Sequence, residues 1–243
     1  MATKDFAHLH VHTEYSMLDG AARLGDLFNY AKELGMSSMA TSDHGFLFGA
    51  FDFWRQAKAH DIKPIIGVEA YLTPGTHRTD RSRVRWGDGS RDDVSGGGAY
   101  THMTMWAETT EGMHNLFRAS SIASLEGQLY KPRMDREVLQ TYSKGLIATT
   151  GCPSGEIQTR LRLGQFDEAL QAASDFRDIF GKDNFYCEVM DHGLDIERNV
   201  QEDLHRLAKQ LNLPYVATND LHYTRQEDHT AHAALLCVQS GST

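Results

Sequence analysis

The hydrophobic pattern of the chain repeats one unit, in which a short apolar run ends in polar residues and an amphipathic stretch follows. Short apolar or β-branched runs predict strands, whereas apolar positions that recur every three or four residues predict helices. The predicted strands lie near residues 5–10, 37–42, 64–71, 102–107, 145–150, 184–190 and 213–218. The predicted helices lie near residues 21–34, 47–60, 110–126, 154–163, 165–181, 194–212 and 226–238.

This alternation predicts an α/β fold in which seven strands pair in parallel, as a barrel or as a wound sheet. A chain of 243 residues suits one domain of this class, so we expect a single domain over residues 1–243. Reactive residues of such folds gather at the C-terminal ends of the strands. The sequence can therefore be tested for polar side chains at those ends.

Residues 73–101 interrupt the rhythm with a long, polar insertion that is glycine-rich near its end. Loops of this length inside a compact domain are usually functional or mobile. The segment carries Arg78, Arg81, Arg83, Arg85 and Arg91, interleaved with Asp80, Asp88, Asp92 and Asp93. One interpretation is a solvated, partly disordered loop. The other is a contact for DNA phosphate, made by Arg78, Arg81, Arg83 and Arg85, or for a neighbouring domain.

Composition limits the class of protein. No apolar run approaches the roughly 20 residues that span a bilayer, and the N-terminus lacks a secretory signal. Three cysteines are too few and too dispersed for a disulfide framework. We therefore expect a soluble, cytoplasmic protein with no membrane partner. The C-terminal sequence ALLCVQSGST follows an apolar, helix-like run and looks like a cut inside a longer protein.

Charge and histidine content bear on function. The formal net charge of −9 argues against a surface that simply coats nucleic acid. The 13 histidines are many for this length. Because histidine is a common metal ligand, the excess indicates metal binding.

The first candidate ligands are His10 and His12. Alternate residues of a strand share one face, so both imidazoles can reach one ion. His8 extends the alternation by one step. It could be a third ligand, but we interpret it as a strand residue on the floor of the fold.

Ligand-type residues also accompany the later predicted strands. They are His44 after the second strand, in the string Thr41-Ser42-Asp43-His44-Gly45, Glu69 in the third, Cys152 after the fifth, and Asp220 and His222 after the seventh. A carboxylate inside an apolar strand such as that of Glu69 is costly unless it is paired or metal-bound. His102 fits the rule less well because it begins its predicted strand. Asp19 could cap the next helix instead of binding metal.

The candidate ligands combine nitrogen, oxygen and one sulfur, which suits zinc, manganese or iron better than calcium, with magnesium also possible. Two or three close ions can activate a water and hold both oxygens of a phosphoryl transfer. Cys152 could instead be a nucleophile, but its setting among metal ligands favours a bound thiolate. The remaining histidines are interpreted as surface residues or structural partners, and Asp191-His192 could line the site.

Several motifs resemble those of the polymerase-and-histidinol-phosphatase (PHP) family over essentially the whole chain. They are His10-x-His12, Thr41-Ser42-Asp43-His44, Glu69, His102 and Asp220-x-His222. The longer strings FAHLHVHTEYSMLDGA, SDHGFLFGA, IKPIIGVEAYLTPG, TGCPSGEIQTRLRLGQ and ATNDLHY are similar to the PHP domains of bacterial replicative DNA polymerase III α-subunits, particularly the actinobacterial type. The resemblance implies the PHP fold, a distorted (β/α)7 TIM-like barrel that holds three divalent metal ions.

The resemblance also implies a ligand set and its division among the ions. The first ion would be held by His10, His12, Glu69 and Asp220, the second by Glu69, His102 and Cys152, and the third by Asp19, His44 and His222. Catalysis would depend on Asp19, His10, His12, Glu69 and Asp220. All nine positions carry residues that can bind a metal.

The function that the resemblance implies is a metal-dependent 3′→5′ exonuclease that removes misinserted nucleotides within a DNA-directed DNA polymerase. The expected partners are the primer 3′ end of DNA, polymerase domains of the same chain and other replisome subunits. Two alternatives stay open. One is a phosphatase that acts on a small ester such as histidinol phosphate. The other is a metal-stabilised scaffold without catalysis, because ligands can be kept for folding alone.

Overall fold

The computed structural model describes residues 6–241, and it confirms the predicted α/β class. The helices are α1 Leu24–Glu33, α2 Ala50–Ala59, α3 Ser95–Gly98, α4 Thr110–Glu126, α5 Arg136–Tyr142, α6 Glu156–Arg162, α7 Phe166–Phe180, α8 Asp195–Leu211 and α9 His229–Ser240. The strands are β1 Ser38–Thr41, β2 Lys63–Leu72, β3 Thr101–Ala107, β4 Gln128–Leu129, β5 Lys131–Met134, β6 Leu146–Thr149, β7 Phe185–Val189 and β8 Tyr215–Ala217. The chain forms two compact units: residues up to Val68 together with those from Asn219 onward, and Glu69–Thr218.

The structure differs from the predicted elements in several places, including the short helix α3 inside the predicted insertion. The first predicted strand, near residues 5–10, is not a strand in the described residues, and Asp5 lies outside them. Isolated parallel bridges occur slightly later instead, at Val11 and Thr13. The β4–β5 hairpin and α5 were not predicted, because elements of two to seven residues carry too few periodic positions to register as a pattern.

In the first unit, the histidine-bearing segment is extended and hydrogen-bonded on both sides. The Ser42 amide donates to the Val11 carbonyl at 2.9 Å, and the His12 amide donates to the Leu221 carbonyl at 2.7 Å. Val11 is fully buried. Successive side chains of an extended segment point to opposite faces, so burial of Val11 turns His10 and His12 together to the other face.

A core of aromatic and aliphatic side chains supports that segment. β1 pairs in parallel with the first half of β2. The rings of Phe28 on α1 and Phe53 on α2 pack with centroids 4.8 Å apart, and both are buried. Gly20 lies against the histidine-bearing segment so closely that a Cβ there would come within 2.1 Å of the Thr13 carbonyl oxygen. Only glycine allows this approach, which fixes the neighbouring Asp19 beside the histidines.

In the second unit, the strands run in the order β4-β5-β2-β3-β6-β7-β8. The pairs β2–β5, β6–β7 and β7–β8 are parallel, as predicted. The prediction of parallel pairing was wrong for β3, which runs antiparallel to β6. The start of β3 therefore lies beside the C-terminal end of β6, where His102 forms a bridge with Gly155.

The insertion at residues 73–101 has a defined backbone held by a buried arginine. Arg133 on β5 is 1% exposed, and its guanidinium donates four hydrogen bonds to carbonyl oxygens. The acceptors are Gly127 at 3.0 Å, Ala99 at 3.2 Å, Arg78 at 3.0 Å and Asp80 at 2.8 Å. Arg133 therefore ties the beginning of the insertion to its end.

Two further expectations concern the whole chain. None of the described helices has the length and apolar character needed to cross a membrane. Cys152, Cys187 and Cys237 are all free, which agrees with the prediction that there is no disulfide framework.

Candidate metal centre

In the first unit, two histidines and one aspartate converge on one point. The Nε2 atoms of His10 and His12 each lie 3.2 Å from Oδ1 of Asp220. Both imidazoles are fully buried, and the Asp220 side chain is 23% exposed. Asp220 adopts a left-handed backbone with φ of 44°, a conformation that aspartate tolerates better than most residues. The predicted pairing of His10, His12 and Asp220 is thus present in the structure.

A second set surrounds the carboxylate of Asp19. Its Oδ2 lies 2.6 Å from Nε2 of His44 and 3.5 Å from Nε2 of His222. The ring of His12 packs against both of these imidazoles, with centroid distances of 4.1 Å to His44 and 4.4 Å to His222. Asp19 does not cap α1, whose N-cap residue is Arg23. Of the two interpretations of Asp19, the helix cap is excluded.

The protonation states in this set follow from its hydrogen bonds. Burial raises the pKa of Asp19, but hydrogen bonds from His222 and His44 outweigh it and hold that pKa well below its ordinary value. Burial lowers the pKa of His222, yet its bonds to Asp19 and its proximity to Asp220 raise it overall. Asp19 therefore stays ionised, which is the form that a cation requires.

A buried hydroxyl and carboxylate set the tautomer of His12. Ser16 Oγ donates to Asp43 Oδ1 at 2.8 Å, because a carboxylate can only accept. The Nδ1–H of His12 must then be the donor in its 3.0 Å bond to Ser16 Oγ. A neutral imidazole in this tautomer presents an unprotonated Nε2 towards Asp220, as a metal ligand requires. His222 is also held through its Nδ1, which donates to the Asp220 carbonyl at 2.8 Å, while its Nε2 faces Asp19 Oδ2.

Asp43 belongs to a motif in which the sequence indicates no role for it, and the structure shows that it accepts hydrogen bonds beside the candidate ligands. It is 5% exposed and also accepts hydrogen bonds from the Thr13 amide at 2.7 Å and the Thr41 hydroxyl at 3.0 Å. His232 was interpreted as a surface residue or structural partner, and its Nε2 bonds to the Asp19 carbonyl at 2.9 Å. The sequence signal for Asp43 is its position directly before His44, at the end of a buried strand.

Replacing Asp43 by Asn is expected to weaken metal binding about 10- to 100-fold, the usual cost of losing a partner that orients a ligand. The amide of Asn offers one acceptor oxygen where the carboxylate takes four donors, so Ser16 and His12 lose their fixed orientation. Competition with a fluorescent zinc chelator, at a temperature where both proteins are folded, measures the affinity. Asp80→Asn, a matched change in the second unit, should stay within about twofold of wild type. An Asp43→Asn affinity equal to that of Asp80→Asn would refute this role.

In the second unit, Glu69, His102 and Cys152 form a separate group. Glu69 Oε1 lies 3.1 Å from Sγ of Cys152 and 3.2 Å from Nδ1 of His102, and the latter two atoms are 3.8 Å apart. Glu69 is 1% exposed on β2, and Cys152 is 5% exposed after β6. The antiparallel course of β3 explains why His102 begins its strand and still joins residues at the ends of parallel strands.

The surroundings of this group separate Cys152 from the other buried cysteine. The ring of His102 lies edge-on to Tyr71 at 5.1 Å and stacks on Tyr100 at 5.8 Å. Cys187 is fully buried on β7, and burial raises the pKa of its thiol to about 12. Cys187 is therefore an inert core residue, whereas Cys152 lies against a carboxylate and an imidazole.

The donor sets fit divalent transition-metal ions. In each of the groups His10/His12/Asp220 and His12/His44/His222, the potential ligand atoms lie within 4.8 Å of one another. Ligands about 2 Å from one ion have comparable mutual separations. The first unit offers imidazole nitrogens and carboxylate oxygens, and the second unit offers these and one thiol. These donor types suit zinc, manganese or iron.

The predicted arginine contacts have different surroundings. Arg78 is engaged by carboxylates, with contacts of 2.7 Å to Glu126 and 3.0 Å to both Asp135 and Glu137. Arg81, Arg83 and Arg85 are exposed. Arg83 donates to the carbonyls of Gly96 and Gly97 and lies over the ring of Tyr130. Of the four predicted DNA-contacting arginines, Arg78 is thus the one already committed to carboxylates.

Sequence comparison finds curated relatives that match the whole length of this chain. The chain is 59% identical to the DNA polymerase III subunit alpha of Saccharopolyspora erythraea, which matches 100% of this chain and 21% of that protein. It is 54% identical to the Mycobacterium leprae protein of the same name, with the same shares covered. The chain therefore spans about a fifth of the length of these curated relatives.

Among solved structures, a two-domain protein from Bacteroides vulgatus, described as containing a predicted PHP-like metal-dependent phosphoesterase, aligns with a TM-score of 0.48 at 12% identity, over 91% of this chain and 53% of that one. The family model described as PHP domain matches residues 8–192. That range contains seven of the nine predicted ligands, and Asp220 and His222 follow it. The predicted assignment to the PHP fold is thereby confirmed, and the chain belongs to the PHP domain family.

Proposed function

We propose that this chain is a metal-dependent phosphoesterase that removes nucleotides from the 3′ end of DNA. The observation that carries the proposal is the convergence of His10, His12 and Asp220, with a fixed His12 tautomer that presents Nε2 for a metal. The predicted catalytic residues Asp19, His10, His12, Glu69 and Asp220 all belong to the three sets described above.

Both units contribute candidate ligands. The first unit offers His10, His12, Asp19, His44, Asp220 and His222, and the second offers Glu69, His102 and Cys152. When bound, divalent ions supply the positive charge that activates water and stabilises a phosphoryl group under attack. The protein orients the ligands through Ser16, Asp43 and the Asp220 carbonyl. The number of ions, three, and their division among the ligands remain predictions.

DNA is favoured over a small phosphate ester by two observations. The two curated relatives described above are named as subunits of a DNA polymerase. Arg81 and Arg85 are exposed, and in the described part of the chain neither has an ion-pair partner. We accordingly propose polymerase domains of a longer chain and other replisome subunits as partners, and the cytoplasm as the location.

The test is a cleavage assay on primer–template DNA with a labelled 5′ end, in the presence of Mn²⁺ or Zn²⁺. Wild-type protein should shorten the primer from its 3′ end. Asp19→Asn and His10→Ala should each lose at least about 100-fold in rate, because each removes a ligand from a buried set. His114→Ala, a matched change at an exposed histidine of the second unit, should leave the rate unchanged.

The alternatives predict other results in the same assay. Cleavage of histidinol phosphate or a similar small ester, with none of DNA, would assign the chain to the phosphatase class. Metal-dependent stability with no cleavage of either substrate would identify a scaffold. Either outcome would contradict the proposed function.

A further inference from the structure

The charges of the insertion at residues 73–101 do not offset one another. In the part of the chain that the structure describes, no ion pair joins one of its arginines to one of its aspartates. Asp92 pairs instead with Arg162 on α6 at 3.5 Å. Asp93 is buried and accepts backbone amides, from Trp86 and Gly89 at 2.9 Å each. Asp92 and Asp93 are therefore engaged by other groups, and the positive charge of Arg85 and Arg91 is left for other partners.

Arg85 and Arg91 line one cavity of about 260 Å³. Its other walls include Ser90, Asp93, Ser95 and the glycines 96–98. This volume is below the roughly 300–1,000 Å³ typical of pockets for drug-sized ligands. A cavity of this size, with two guanidinium groups and two hydroxyls, suits a small anionic group such as a phosphate.

The glycine wall keeps the cavity open and weakens its repulsion of an anion. Gly96, Gly97 and Gly98 all have positive φ, and a Cβ on Gly98 would come within 2.4 Å of the Val84 carbonyl oxygen. Arg83 donates to the carbonyl oxygens of Gly96 and Gly97. The negative ends of these two peptide dipoles are therefore bound to a cation. The carboxylate of Asp93 is likewise engaged by backbone amides.

One aromatic ring separates this wall from the metal-ligand group of the second unit. A Cβ on Gly96 would touch the ring of Tyr100 at 2.4 Å, so the glycine packs directly on that ring. Tyr100 in turn stacks on His102 with centroids 5.8 Å apart. His102 itself lies 3.2 Å from Glu69. An anion in the cavity would thus lie close to the second unit's candidate ligands.

We propose that the cavity lined by Arg85, Arg91 and Gly96–Gly98 binds a backbone phosphate of the DNA strand whose end is hydrolysed. The inference rests on the proposed function for its substrate class. The chemistry recognised is a phosphate group held by two arginines, and this chemistry is shared by a DNA phosphodiester and by free phosphate.

The test measures DNA binding without turnover. Fluorescence anisotropy of a labelled single-stranded oligonucleotide is recorded in EDTA for the whole 243-residue chain. Arg85→Gln/Arg91→Gln should weaken binding at least about tenfold and flatten its salt dependence, since each phosphate contact contributes a slope of about 0.7 for single strands. Arg118→Gln/Arg198→Gln removes the same charge from two exposed arginines outside both the cavity and the insertion, and should cost less than about threefold. Thermal melting checks that both double variants are folded.

Competition by inorganic phosphate and by a DNA dinucleotide separates the two sources of phosphate. We expect the dinucleotide to displace the oligonucleotide from wild type at concentrations at which inorganic phosphate does not. Equal losses in the two double variants would indicate charge alone and overturn the proposal. Displacement by inorganic phosphate as readily as by the dinucleotide would overturn it too. The binding assay contains no metal and is therefore independent of turnover. If the wild-type chain binds the oligonucleotide through the cavity but does not cleave DNA, the proposed function is contradicted and the phosphate-binding role of the cavity stands.

Discussion

Replacing Arg133 by Gln is expected to lower the free energy of unfolding by about 3–5 kcal/mol, because two or three buried carbonyl oxygens lose their charged donor. The guanidinium is 1% exposed and donates to four carbonyl oxygens. Gln can bond to one or two of them, and each carbonyl left buried without a donor costs about 1–3 kcal/mol. The loss of stability should be greatest in residues 78–99, because Arg133 bonds to the carbonyls of Arg78 and Asp80 and also to that of Ala99.

Urea unfolding measures this effect, and limited proteolysis locates it. Arg118→Gln, the same substitution at an exposed arginine, should change the unfolding free energy by less than about 0.5 kcal/mol. Arg133→Lys should be intermediate, since an ammonium keeps the charge but lacks the planar fork that reaches several acceptors. If Arg133→Gln unfolds at the wild-type urea concentration and its insertion resists protease equally, the insertion is held by other contacts.

Replacing Asp220 by Asn is expected to weaken metal binding by more than about 100-fold, beyond the loss expected for the orienting residue Asp43. Asp220 Oδ1 is the atom that lies 3.2 Å from both His10 and His12. A neutral amide removes the negative charge that a divalent ion requires and can direct a donor at the site. The backbone should tolerate the change, because Asn accepts the left-handed conformation seen at this position, with φ of 44°.

The fluorescent-chelator competition described for Asp43 measures this loss as well. Asp26→Asn, at an exposed carboxylate of the same unit, is the matched control and should leave the affinity unchanged. Cleavage by Asp220→Asn should fall in parallel with metal binding. A variant that binds metal like wild type would remove Asp220 from the ligand set.

The sequence indicated these candidate ligands because strand periodicity and strand ends are local features. His10 and His12 needed only alternation about a buried valine, and Glu69 needed only its position in an apolar strand. His102 seemed out of place because the sequence carries no sign of strand direction. The antiparallel pairing of β3 with β6 is a tertiary feature. It explains how His102, at the start of β3, lies beside residues at the ends of parallel strands.

Orienting residues were harder to foresee than ligands. Ser16 and Asp43 are 27 positions apart, and their 2.8 Å bond forms only after the fold brings two segments together. Arg133 gave no signal at all, since an arginine in a short strand is expected at the surface. The bonding of Arg78 to Glu126, Asp135 and Glu137 was hidden for the same reason. Long-range hydrogen bonds of buried polar groups are what the linear pattern does not record.

Anomalous X-ray diffraction from crystals grown with Mn²⁺ or Zn²⁺ tests the metal centre most directly. We predict anomalous peaks within about 2.3 Å of ligand atoms from both groups, with His10, His12 and Asp220 around one ion and Cys152 beside another. Three peaks are expected in all. Ordered imidazoles and carboxylates at these positions with no anomalous peak, at metal concentrations that support cleavage, would contradict the account.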